Sequence, residues 1–389
     1  MLTTADMAAA TGPVTGEITR GFACLASLEP EWRRLFAQSN GQPSLSYEWT
    51  QALVRTQVAP EEPCYVVQLR RGGVLVGIVP LTIRMTRVFG GRPHFIVRPL
   101  SEAKDTHSDL LLIDRDRETI DAFFASLRQL PSRWDSFRLS KLLETDGLTR
   151  LLEEGSARAR FTPRRRFRKA VYWIPLPGTF DEYFAARSQK FRNHARRAEK
   201  KLRKAGRLDE IEVTTPDAFE RGFDMLLHVE RQSWKEAHGT SISAVAKQTA
   251  LYREGGRALA ASGQLHLQLL TLDGEPIAHN IGCIHRDVYY YVKTSYAAAH
   301  RPASPATFLR LSLIERLIAR GVREVDFCGT PYEWEQQWAG TYRWHYVLSI
   351  YADTWRGRVL SRLDRWTHYS TSGQTIEHAD PRSERAPTS

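Results

Sequence analysis

The chain has 389 residues, 42% of them hydrophobic and 25% charged, which leaves room for two or three packed domains and excludes wholesale disorder. No stretch approaches the roughly 18 apolar residues of a membrane-spanning helix. Four cysteines (Cys24, Cys64, Cys283, Cys328) lie far apart with no CxxC, so neither a disulfide framework nor a cysteine zinc site is expected, and a reducing cytoplasm is the default.

The net charge of +11 is concentrated. Residues 158–207 hold 17 Lys/Arg against Asp181, Glu182 and Glu199, a net of +14, so the rest of the chain is about −3. A local anionic partner is expected there: tRNA, or an anionic membrane surface to which the protein is peripheral.

Residues 1–17 and 370–389 are small, polar and aperiodic and read as disordered tails; the first of them lacks the basic and apolar regions of a secretory signal. Helical segments follow at Pro30–Gln38 and Leu45–Gln57. CYVVQLRRGGVLVGIVPLTIR reads as a hairpin turning at Gly72–Gly73. A strand near Leu110–Ile113 comes next. Then a helix runs over Arg115–Leu130, with Ile120, Phe123, Phe124 and Leu127 at helical spacing. Trp134–Leu139 reads as a strand.

Thr179-Phe-Asp-Glu182 is a capping-box pattern, so a helix is expected from Phe180 to about Lys204. Its apolar stripe is Phe184, Phe191, Ala195, Ala198 and Leu202, and its other faces are basic. The first half's pattern then returns. Helices are expected at Phe219–Glu236 and Ile242–Ser262, then a hairpin in LHLQLLTLDGEPIAHNIGCIH. A strand at Val288–Tyr296, a helix at Pro305–Arg320 and a strand at Arg323–Phe327 complete it. The fold class is therefore α/β (α+β): two similar units, each a mostly antiparallel sheet flanked by helices. The first unit spans 18–170 and the second 171–365.

Four stretches in this frame resemble the GNAT-like acyltransferases of the FemAB and cellulose-biosynthesis CelD-like type. They are SQKFRNHARRAEKKLRKAG; Leu226 to Trp234; Tyr289-Tyr-Tyr with Ser304-Pro-Ala-Thr-Phe-Leu309; and Asp326-Phe-Cys-Gly329 leading to Trp338. The order and spacing hold over about 180–355, and the first half resembles the family's degenerate N-terminal unit. Ala306 stands where the family usually has Gly, and Glu333 or Glu335 where it commonly has Lys.

The resemblance implies acyl transfer from an acyl-CoA or carrier-bound thioester to a small-molecule or polymer amine, with no permanently bound cofactor. Relatives that use aminoacyl-tRNA make that the alternative donor. A nucleic-acid-binding module or a scaffold protein without catalysis is the reading from another class. A thioester's pyrophosphate suits a helix N-terminus. Arg301, Ser304, Ala306 and Thr307 are therefore the donor-binding candidates, with Ser304 as N-cap and Pro305 at the first helical position.

Asp326, at a strand end, is placed to accept the amine's proton or to grip its ammonium, or else to pair with a nearby cation. Glu335 is the second catalytic carboxylate, and Tyr332 the candidate acid for a leaving thiolate. Lys293 and Ser295 share one face of their strand. With Tyr296, Trp234 and His279 they form the substrate-binding set. His279 and His285 lack a third partner, so no metal is expected. Asp105-Thr-His107-Ser-Asp109 is a polar loop that reads either as surface or as a substrate loop across the cleft.

Overall fold

A computed structural model describes residues 12–88, 91–101, 106–144, 147–328 and 333–366. The first unit opens with β1 (Val14–Arg20), α1 (Leu25–Gln38) and α2 (Tyr47–Gln57). The hairpin follows as β2 (Cys64–Arg71) and β3 (Val74–Val88), then β4 (Arg92–Pro99) and the short β5 (Leu111–Leu112). Next come α3 (Arg117–Arg128), β6 (Ser136–Leu143), α4 (Leu148–Arg158) and β7 (Thr162–Pro175).

After α5 (Phe180–Ala185) and α6 (Gln189–Ala205), the second unit repeats the order. It contains β8 (Leu208–Val213), α7 (Pro216–Arg231), α8 (Trp234–Ala237), α9 (Ala246–Ala261), β9 (Leu265–Leu272), β10 (Glu275–His285) and β11 (Val288–Tyr296). The chain continues through α10 (Pro305–Ala319), β12 (Glu324–Asp326), β13 (Thr341–Tyr351) and α11 (Trp355–Trp366).

The strands form one 13-stranded sheet, ordered β1-β2-β3-β4-β6-β13-β7-β12-β11-β10-β9-β8, with β5 beside β3. It is antiparallel except at two equivalent places. β4 runs parallel to β6 across α3, and β11 runs parallel to β12 across α10. The centre explains why the halves do not separate. β7 leaves the first unit to pair with β12, and β13 leaves the second to pair with β6, while β7 and β13 pair with each other. Leu348 and Ile350 of β13 lie in the first unit's core, and Ile174 of β7 lies in the second unit's. Each half thus buries a strand supplied by the other, and the expected boundary at 170 falls inside β7.

Several expectations need correction. β1 begins at Val14, inside the expected tail of 1–17, because its backbone pairs along β2 from Val14 to Arg20. The long strand that follows the hairpin and pairs with β3 is β4; the expected strand near Leu110–Ile113 also pairs with β3 but is only two residues long, Leu111–Leu112. Pro93, Pro99 and two arginines hide β4's alternation. β7 is hidden in the same way: its ladder runs through Arg164, Arg165, Arg166 and Lys169, with Arg168 bulged out between Phe167 and Lys169.

The basic helix is two helices. Thr179 and Glu182 form the expected capping box, but only for α5. Ser188 then caps α6 by accepting from the Phe191 N–H at 3.2 Å. Arg187, in the break, donates to the Trp338 carbonyl at 2.6 Å and so ties this corner to the segment before β13. The tail expected at 370–389 lies outside the described residues.

Candidate active site

β11 pairs with β12 only at Val288, Tyr289 and Tyr290, opposite Glu324, Val325 and Asp326. Beyond Tyr290 the two strands part and the sheet opens. At the same level β11 carries an extra residue: Ile281 pairs with Lys293 and Gly282 with Tyr291, so Val292 bulges. A side chain at Gly282 would meet the Tyr290 carbonyl at 2.4 Å, so the bulge depends on a glycine there. The bulge reverses which residues face each way. Tyr289 and Tyr291 pack with Leu313 and Ile314 of α10. Past the bulge, Lys293 turns to the opposite face, with its Nζ over the Tyr252 ring at 5.8 Å.

A cavity of about 720 Å³ fills the opening, between the end of β11, the first turns of α10 and the segment before β13. Lys293, Ser295, Tyr296, Trp234, Ala306, Thr307 and Glu335 all line it, so residues spread over a hundred positions of sequence converge. Glu335 is buried and is the only carboxylate among the described lining residues. The Ser295 hydroxyl is buried with no hydrogen-bond partner among the described residues.

Arg310, which the sequence reading missed, also lines the cavity. Its guanidinium stacks 3.9 Å from the Trp334 ring centre and 4.7 Å from that of Trp338, and its Nε donates to the Tyr291 hydroxyl at 3.2 Å. The aromatic faces stabilise a buried cation here through their negative quadrupoles. The only trace in the sequence is one arginine inside the apolar run of α10. Lys235, His194 and His238 are further lining residues that went unread.

Other candidates fall elsewhere. His279 is fully buried; burial pulls its pKa down, and its Nε2 lies 2.9 Å from Glu230 Oε1. It therefore cannot touch a substrate in this cavity: its alternation with Ser295 on the neighbouring strand is real, but α7 covers it. Arg301 is exposed on the short helix Ala298–Ala303 and is not part of the lining. Ser304 does stand at the N-cap of α10, but in a left-handed conformation (φ 53°) and with no side-chain cap bond. Its carbonyl instead accepts from the Thr307 N–H at 3.0 Å. Tyr332 lies outside the described residues, as does Asp105. Among the described residues no cluster of three or more His, Cys, Asp or Glu could hold a metal.

Asp326 is buried, and its partners come from across the sheet. His107 Nε2 lies 2.9 Å and 3.0 Å from its two oxygens, and the Cys328 N–H donates to Oδ1 at 2.6 Å. His107 Nδ1 in turn sits 2.7 Å from His345 Nε2 on β13. Burial would raise the Asp326 pKa, but the His107 charge and hydrogen bond, the Cys328 N–H and Arg343 outweigh it and hold it below the ordinary carboxylate range. Burial, and then His107, pull His345 down to about 2, so it is neutral. The polar loop at His107 is thus neither plain surface nor, by this contact, a substrate loop: it reaches the second unit and satisfies its buried carboxylate.

Asp326→Asn is accordingly expected to cost stability, about 1–3 kcal/mol, with turnover per folded molecule within a few-fold of wild type. Because the native pKa is depressed, the carboxylate's contribution is complete above the unfolded value of about 3.9 and fades as pH falls through the native one. Urea titrations of both proteins at pH 7 and pH 3 check this; a large loss of turnover at unchanged stability would instead make Asp326 the base.

The basic stretch divides. On β7, Arg165 pairs with Glu153 and Arg166 with Asp364. On α6, Lys200 and Lys204 are exposed and form no ion pair among the described residues, while Lys201 donates to the Pro302 carbonyl at 3.0 Å, beside the start of α10.

Residues 189–336 match a family model described as an acetyltransferase (GNAT) domain. The whole fold is similar to that of FemX, with a TM-score of 0.57 at 11% identity, covering 89% of this chain and 99% of that one. It is also similar to the C-terminal domain of a candidate lysylphosphatidylglycerol synthetase from Agrobacterium fabrum (TM-score 0.52, 13% identity, 88% of this chain and 96% of that one). A conserved protein of unknown function from Bacteroides thetaiotaomicron gives a TM-score of 0.53 at 11% identity, over 86% of this chain and 100% of that one. At such identities the likeness is one of fold. No curated protein sequence matches the chain. No described helix is long and apolar enough to cross a membrane. Residues 189–336 therefore form a GNAT acetyltransferase domain, and the fold of the chain as a whole is similar to that of FemX.

Proposed function

We propose that the protein moves an acyl group from acyl-CoA to an amine, with the thioester in the cavity between β11 and α10. The observation that carries this reading is the opened sheet: one cavity joins a strand edge that β12 leaves uncovered, a helix start and, among the described residues, one buried carboxylate. Past Tyr290 the backbone of β11 has no β12 partner, so N–H groups there are placed to stabilise an oxyanion. Ala306 and Thr307 put the α10 N-terminus at the cavity wall, where its dipole favours a phosphate.

In the step proposed, the amine nitrogen bonds to the thioester carbonyl carbon and its proton passes to Glu335. The carbon–sulfur bond breaks, and the thiolate takes a proton from a neighbouring acid, the role assigned to Tyr332. The amine acceptor is a small molecule or a polymer end.

A second reading, aminoacyl-tRNA as donor, is favoured by one observation: the exposed cations of α6 stand beside the start of α10. The two donors separate by charge reversal. With acyl-CoA, changing Lys200, Lys201 and Lys204 together to Glu is expected to keep most activity, and salt matters little. With tRNA the same variant is inactive, and the wild-type rate at low substrate falls steeply with salt, because each phosphate contact releases a counterion. Initial rates between 50 and 300 mM salt decide, with flat rates expected.

A further inference from the structure

A second cavity, of about 230 Å³, lies on the other face of the opened sheet, between the two units. The first unit contributes Trp49 and Leu53 of α2 and Leu100 after β4; the second contributes Leu251, Tyr252 and Leu259 of α9. Val292, the bulged residue, is among the described residues the one side chain that lines both this cavity and the one beside α10. The two cavities therefore lie on either side of Val292, near the point where β11 leaves β12.

The walls are mainly apolar, yet three buried polar atoms on residues of this lining have no hydrogen-bond partner among the described residues: Ser44 Oγ, Trp49 Nε1 and Gln248 Oε1. An indole N–H can only donate and an amide oxygen can only accept. Leaving both unmade costs stability, so a ligand that supplies an acceptor and a donor together would recover it. Trp49 cannot readily turn away to find another partner. Its ring is pressed on Gly255 of α9, where an added Cβ would meet it at 2.5 Å. Among the described lining residues the only charged ones are Arg84 and Arg98, cations that disfavour an ammonium.

We infer that this cavity binds an apolar group joined to an amide: the hydrocarbon fills the Leu, Tyr and Trp walls while the amide meets Trp49 and Gln248. Scaled from benzene in a 150 Å³ cavity, the space suits about nine non-hydrogen atoms, a chain of six or seven carbons with its amide. The contact at Val292 links it to acyl transfer, and that link rests on the function proposed above. The group is either a donor acyl chain that itself carries an amide or the apolar, amide-bearing part of the acceptor.

The test is calorimetric titration of the full chain with hexanamide, propylbenzene and hexylammonium. Hexanamide is expected to bind once per chain, at least tenfold more tightly than hexylammonium. Leu259→Trp, which fills the space, is expected to abolish binding, while CoA binding beside α10 is unchanged. Gln248→Met, a milder change, is expected to weaken hexanamide about tenfold and leave propylbenzene alone. Absence of hexanamide binding, as for a cavity that holds water only, overturns the inference; so does unchanged binding in both variants.

Rates then identify the source. If Leu259→Trp slows hexanoyl-CoA but not acetyl-CoA, the cavity takes the acyl chain; if it slows both with an apolar amine, it takes the acceptor. Unchanged rates in every pairing would sever the link to transfer. Loss of CoA binding in the wild type, with hexanamide still bound, would refute the proposed function and leave the cavity's ligand class standing.

Discussion

Glu335→Gln is expected to lower turnover by roughly 10²–10⁴-fold, the usual loss when a general base is removed. The substitution keeps the side chain's size and removes only its charge and basicity. Glu335 is buried in the cavity and has no rival carboxylate in the described lining. A base that acts in the transition state lowers turnover and catalytic efficiency together. The acidic limb of the pH–rate profile should vanish with it. If the Michaelis constant for the amine rises while turnover stands, Glu335 grips the ammonium instead. Wild-type kinetics would mean that the carboxylate only packs. His194 and His238 line the same cavity, so His194→Ala and His238→Ala are the comparisons that show whether the effect belongs to Glu335.

Ala306→Asp is expected to abolish acyl-CoA binding while leaving the protein folded. Ala306 is the second residue of α10 and lines the cavity. Asp is well tolerated in a first helical turn because its charge complements the dipole. That same charge would occupy the place and cancel the field that a phosphate uses. Circular dichroism should be unchanged and CoA affinity lost by at least a hundredfold. An unchanged affinity would remove the phosphate from this helix start.

Periodicity showed both hairpins, α3 and α10 because each carries apolar residues at regular spacing along a half-buried surface. It failed at the centre, for a physical reason. β7 and β13 are completed by each other and by strands from the opposite half, so their burial is set by partners nearly 150 or more positions away. β7 also alternates arginine with arginine, which no apolar pattern reveals. In the cavity, Ser295 was legible from strand alternation, whereas Ala306 and Glu335 were picked out by the resemblance, at positions where the family usually has Gly and Lys. Arg310 was not, because its place depends on three rings from two distant segments. Nor was the partnership of His107 with Asp326, which joins residues 219 positions apart. His279 shows the opposite error: strand alternation put it on the right face, but only the structure shows α7 lying over that part of it.

The most direct test of the central claim is native mass spectrometry of the purified chain after incubation with acyl-CoA esters of several lengths and, separately, with charged tRNA. One CoA ester per chain is predicted, with binding lost in Ala306→Asp and acyl transfer to an added amine accompanied by one free thiol per turnover. A chain that retains charged tRNA, binds no CoA ester of any length and releases no thiol would contradict it.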